Sequence, residues 1–179
     1  MTITGRRRKR PGRGLIRHEA GATAVEFALI APLFLLLLMA IMQMALVLFA
    51  GQHLENATAT LGRLVRTGQA QEMSLTPTAF RQMLCEEMEP LLPCGSDKLY
   101  IDVQTLPSFG AIPLDVPLDE DGEFAGTGSF QLGGAGQIVI VRAFYRYPVF
   151  LPLIGERLAN IGNGMRLLSS AAVFRNEPF

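Results

Sequence analysis

Phe27–Ala50, FALIAPLFLLLLMAIMQMALVLFA, holds a single polar side chain, Gln43. At about 1.5 Å of rise per helical residue it reaches roughly 36 Å, against a hydrocarbon core of about 30 Å, so it can cross a bilayer with some tilt. A helix in the core of a soluble domain is rarely apolar on every face over such a length, and this one is. The uncharged run continues to Leu54, with Gln52 and His53 as its other polar members. The reading is a transmembrane helix over residues 22–50.

On the N-terminal side the charge pattern gives that helix a direction. The chain as a whole is neutral, but residues 1–21 hold Arg6, Arg7, Arg8, Lys9, Arg10, Arg13 and Arg17 against Glu19, a net +6. Residues 22–179 hold nine basic and fifteen acidic side chains, a net −6. A basic cluster directly before an apolar span stays in the cytoplasm and attracts anionic lipid headgroups. The expected layout is therefore a basic cytoplasmic leader over 1–21, the span, and an extracytoplasmic domain over 51–179. As a nucleic-acid patch the cluster lacks interleaved aromatics and a supporting fold, and a membrane span follows it. An ordinary secretory signal is excluded too. Its apolar region runs to about 7–15 residues, and no A-x-A site closes this run, where Leu48, Phe49 and Ala50 stand before Gly51.

The junction itself reads Gly21-Ala22-Thr23-Ala24-Val25-Glu26-Phe27. A carboxylate at the edge of an apolar helix is costly within the bilayer, up to about 2.5–3.5 kcal/mol at its centre. Two readings of Glu26 stand side by side: a partner for an amine newly exposed at Ala22 by cleavage after Gly21, or a headgroup-level marker of the helix start, favoured by the helix dipole. Within the span, Pro32 removes a helical hydrogen bond and is expected to kink the helix. Ala24, Ala28 and Ala31 either form a small-residue face for a second helix or face lipid. Met39, Met42 and Met44 read as apolar filler.

The stretch His18-Glu19-Ala20-Gly21-Ala22-Thr23-Ala24-Val25-Glu26-Phe27-Ala28-Leu29-Ile30-Ala31-Pro32 resembles the opening of TadE-like proteins, pseudopilins of the bacterial tight-adherence (Flp) pilus apparatus. Gln52-His53-Leu54-Glu55-Asn56-Ala57 and the closing Ser169–Phe179 extend the likeness. The resemblance is strong over residues 17–68, fair over 137–179 and absent between. Ala22 departs from major pilins, which often carry an aromatic residue there, and this favours a minor pilin or pseudopilin. The resemblance implies cleavage between Gly21 and Ala22 by an inner-membrane prepilin peptidase, with Glu26 and Phe27 used in peptidase recognition and assembly. It also implies a bacterial inner-membrane location with a periplasmic domain. The partners would be membrane lipid, the peptidase, other pilins or pseudopilins and inner-membrane pilus assembly proteins.

Past the span, Leu54, Ala57, Leu61, Leu64 and Val65 recur at helical spacing, which predicts a continuation over Gly51–Gly68. Ser74–Pro90 predicts a second helix with Thr76 as N-cap, Pro77 at its first position, and Phe80, Met83, Leu84 and Met88 as its apolar side. Cys85 and Cys94 both lie in the extracytoplasmic part, an oxidising setting, so a disulfide is expected. Lys98–Thr105 alternates as a strand. Pro107–Gly136, rich in Gly, Pro and acid, predicts a long exposed loop. Gln137–Tyr147 predicts the clearest strand, with Arg166–Phe174 as an antiparallel partner. The fold class is membrane-anchored α+β, a long N-terminal transmembrane helix extending into a small domain with a few antiparallel strands.

Several chemistries find no support. Asp119-Glu120-Asp121-Gly122-Glu123 fails as an EF-hand, because Gly122 as sixth residue makes Pro117 the first and Gly128 the twelfth. Gly126, Gly128, Gly133, Gly134 and Gly136 precede a strand, not the helix a dinucleotide loop requires. The sequence holds no nucleophile–His–acid set, no paired carboxylates in an apolar frame and no phosphate loop. It predicts no catalysis, no cofactor, no metal, no nucleic acid and no small-molecule substrate. The alternative to a pilus component is a membrane-tethered periplasmic interaction domain without pilin-type processing.

Overall fold

The computed structural model describes residues 19–89, 91–95, 97–113, 115–119, 125, 128–150, 159–161 and 164–179. The chain divides into two compact units, Met1–Met39 and Ala40–Phe179. One helix, α1 (Glu19–Arg66), contributes to both and runs through Pro32. Within the first unit its large side chains are exposed, among them Phe27 at 73% and Leu29 at 75%.

In the second unit α1 acquires a buried stripe: Gln43, Val47, Ala50, Leu54, Ala57, Leu61 and Val65. Their three- and four-residue spacing keeps one face of a 3.6-residue helix toward the core. Each fully buried Leu or Val contributes roughly 1.5–3 kcal/mol by leaving water. The unit containing the sheet thus begins before the end of the 22–50 stretch, and residues 43–50 pack within it on one side only. Met44, Leu48 and Phe49 on the other sides stay exposed. At its C-terminal end α1 gives way to Gly68 in the left-handed region at φ 82°, a conformation glycine adopts without a steric penalty. A short helix, α2 (Gln69–Glu72), follows.

Helix α3 (Pro77–Met88) begins as the sequence predicts. Thr76 is its N-cap, its Oγ1 accepting from the Ala79 N–H at 3.2 Å, and Pro77 stands in the first turn. It buries Phe80, Leu84 and Met88. Three strands, β1 (Leu99–Leu106), β2 (Ile138–Pro148) and β3 (Met165–Arg175), form an antiparallel sheet in the order β1-β2-β3. The register pairs Val103 with Val141 and Val141 with Ala172. Alternate residues Val139, Val141, Ala143 and Tyr145 join Leu99, Val103 and the buried faces of α1 and α3 in one core. Phe144 and Leu167 belong instead to a smaller cluster with Ile161. Gly62 of α1 faces Phe174 and Ala172 of β3. A Cβ there would lie 3.1 Å from Phe174 Cε1 and 3.2 Å from the Ala172 Cβ.

The exposed loop expected over Pro107–Gly136 is corrected in part. Phe109–Ala111 form a 3-10 turn. Further on, Ser129–Gln131 run beside β1: Val103 N–H donates to Ser129 O and Gln131 N–H to Val103 O, both at 2.8 Å. Phe130 packs edge-on against Phe80, with ring centroids 5.5 Å apart, and Leu132 packs on the core. These two apolar side chains and the backbone bonds to β1 together tie down a segment in a Gly-rich polar context. Glu120, Asp121, Gly122 and Glu123 lie outside the described residues, as does the whole basic cluster Arg6, Arg7, Arg8, Lys9, Arg10, Arg13 and Arg17.

Candidate functional site

The first unit presents the residues of the expected processing motif on the surface of a helix. Gly21 stands in the first turn of α1, and Ala22, Glu26 and Phe27 are exposed. A Cβ added at Gly21 would meet no atom within 4 Å, so packing does not require the glycine. From Val25 to Met42 every large apolar side chain is exposed. A continuous apolar surface of this extent is covered in the cell by lipid or by other helices. Helix α1 is long and apolar enough to cross a membrane.

Two polar clusters help to hold the second unit. The disulfide joins Cys85 at the end of α3 to Cys94, with Cα atoms 5.6 Å apart, ahead of β1. Arg81 reinforces the same corner, its guanidinium donating to Leu99 O and Gly95 O. Tyr145 donates to Pro93 O at 3.1 Å. Burial pushes the Tyr145 hydroxyl up from its ordinary value, with Tyr147 and Asp97 adding to the effect.

The other cluster centres on an ion pair between neighbouring strands. Arg142 on β2 reaches Asp102 on β1 at 2.6 Å through Nη2 and 3.0 Å through Nε. Their side chains are 12% and 8% exposed. Gln104 Nε2 donates to both oxygens of the same carboxylate, and the N–H and hydroxyl of Ser129 donate to Oδ1 at 3.0 Å. Burial alone would raise the Asp102 carboxyl, but the hydrogen bonds from Gln104, Arg142 and Ser129 outweigh it and hold the group below its ordinary value. Arg142 also donates to Pro113 O and Asp115 O and lies over the Phe144 ring at 5.6 Å. The pair therefore gathers two parts of the 107–136 stretch, at Pro113 and Asp115 and at Ser129, onto the sheet, a structural role. Sequence reasoning passed over both residues. The signal was a lone acid in an alternating strand and the first of two arginines in the most apolar strand. Among the described residues no group of three or more His, Cys, Asp or Glu is arranged to hold a metal ion.

The model of one known family matches the chain over residues 21–63. That segment is TadE-like. The description of the matching family is "TadE-like protein", and the match begins at Gly21 and ends one residue after Gly62. The TadE-like segment thus takes in Gly21, Ala22, Glu26 and Phe27, the apolar run, and the stretch of α1 that packs on the sheet. The three strands and α3 lie outside it. No curated protein and no solved structure matches the chain. The TadE-like match and the length and apolarity of α1 together support membrane anchoring.

Proposed function

We propose that this protein is a pseudopilin-like component of the tight-adherence (Flp) pilus assembly system, made as a precursor and cut after Gly21. The observation that carries the proposal is the TadE-like match, which begins at Gly21 and includes Glu26 and Phe27 on an exposed helix. In this scheme the basic leader stays in the cytoplasm and an inner-membrane prepilin peptidase removes it, while the sheet domain stands in the periplasm. The new amine at Ala22 and the Glu26 carboxylate neutralise each other between neighbouring subunits. In a low-dielectric layer an ion left without a partner is expensive, which makes the pairing selective. The exposed apolar surface of α1 gives the mature protein its contacts with lipid and with the helices of other pilins or pseudopilins. The protein is the peptidase's substrate and does no chemistry of its own.

Two variants test this in cells that make the matching peptidase and pilus. Gly21→Leu meets open space in the folded chain, so it should leave folding intact, block cleavage and abolish assembly. Glu26→Ala should be cleaved and inserted normally yet fail to assemble. A Gly21→Leu protein that is still shortened, or a Glu26→Ala protein that assembles at wild-type levels, would overturn the proposal. The chain would then be read as a tethered interaction domain.

A further inference from the structure

Gln43 is the single polar residue of the Phe27–Ala50 run, and it is almost fully buried, at 3% exposure. Its Oε1 accepts a hydrogen bond from the backbone N–H of Phe150 at 3.2 Å. The turn that leaves β2 is therefore pinned at the level of helix position 43, inside the apolar run and not beyond it. Further along α1, His53 Nε2 contacts Met88 O at 3.0 Å. Ten residues of helix separate the two contacts, about 15 Å along the axis. The Phe150 corner thus reaches about 15 Å further down α1 than the end of α3 does.

Around that level the surface is apolar. Met42 and Met44 on the helix are 62% and 43% exposed, and the Phe150 ring is 69% exposed. The apolar run, about 36 Å long, exceeds a hydrocarbon core of about 30 Å by about 6 Å, or four residues. With its start at one boundary, the far boundary falls near residue 46, and position 43 lies about 4–5 Å inside it. A backbone N–H at that depth has no water to bond and needs a protein acceptor, which Gln43 supplies. A phenyl ring has no polar group to keep in water, and leaving water for the acyl chains at this boundary is favourable.

We infer that the Val149–Phe150 corner of the sheet domain is seated in the rim of the lipid layer, with the Phe150 ring among the upper acyl chains. The sheet domain then touches the bilayer at a second point beside α1. The inference rests on the reading of α1 as a membrane span, and its test separates the two. The chain has no tryptophan, so a single introduced one reports its own surroundings. Phe150→Trp and, in the middle of the run, Leu36→Trp are made in the full chain and reconstituted in phosphatidylcholine vesicles. Some vesicles contain lipid brominated near the headgroup, others lipid brominated near the chain end. Phe150→Trp should lose at least half its emission to shallow bromines and less to deep ones, and Leu36→Trp should show the reverse order. Unquenched Phe150→Trp beside quenched Leu36→Trp would overturn the inference and leave the span standing, with the ring assigned to a neighbouring protein. Both tryptophans unquenched would overturn the span and the inference together.

Discussion

Arg142→Met removes one half of the ion pair and leaves Asp102 in place. The carboxylate then loses its contacts at 2.6 and 3.0 Å but keeps those from Gln104 and from the N–H and hydroxyl of Ser129. Breaking a buried pair on one side costs about 3–5 kcal/mol, and the three surviving donor groups place this site at the low end, about 3 kcal/mol. For a domain of this size that is a fall in Tm of roughly 10 °C. The assay is thermal unfolding of the full chain in detergent micelles, followed by circular dichroism. The effect of pH has a definite sign. In the wild type the folded Asp102 carboxyl lies below its ordinary value of 3.8, so its contribution is complete above about pH 4 and is lost as pH falls through the folded value. Without Arg142 one of the hydrogen bonds that lower the group is gone, so the carboxyl lies higher than in the wild type and the variant loses less stability as pH falls. The gap between the two proteins should therefore narrow below about pH 4. A fall in Tm under about 3 °C, or a gap that does not change with pH, would refute the assignment.

Other outcomes follow from the packing and the topology. Gly62→Leu should destabilise the domain by about 1–3 kcal/mol through overpacking against Phe174 and Ala172, while Gly62→Ala, which gains about 1 kcal/mol of helix propensity, should be close to neutral by the same assay. Protein isolated without reductant should show Cys85 and Cys94 joined by peptide mass. The Cys85→Ser/Cys94→Ser pair should lose about 2–3 kcal/mol, as the entropic model gives for so short a loop. A reporter that works only in the periplasm should be active when fused after Phe179 and silent when fused before Met1. An inactive C-terminal fusion on a stable protein would reverse the orientation.

Elements fixed by local chemistry were legible in the sequence. Thr76-Pro77 announces α3 because an N-cap oxygen and a proline in the first turn act within a few residues. The β-branched and aromatic run from Ile138 announces β2, and the weaker alternation of Arg166–Phe174 finds its antiparallel place beside it. The Gly68 stop of α1 needs only a backbone that turns left-handed. What escaped depends on residues far apart in the chain. Asp102 and Arg142 are forty positions apart, and nothing local predicts that the strand register sets them opposite each other. Phe130 and Leu132 are hidden by the glycines around them. Gln43 looked like a lone interruption of an apolar run, and its reason, the N–H of Phe150, lies more than a hundred residues away.

The central claim is that the chain is a processed pilin-like subunit, and one measurement addresses it directly. The wild-type protein is recovered from membranes of cells with the matching prepilin peptidase, then examined by intact mass and N-terminal sequencing. The account predicts a mature chain that begins at Ala22 and lacks the +6 leader. A chain that still begins at Met1, or one cut anywhere other than after Gly21, would contradict it.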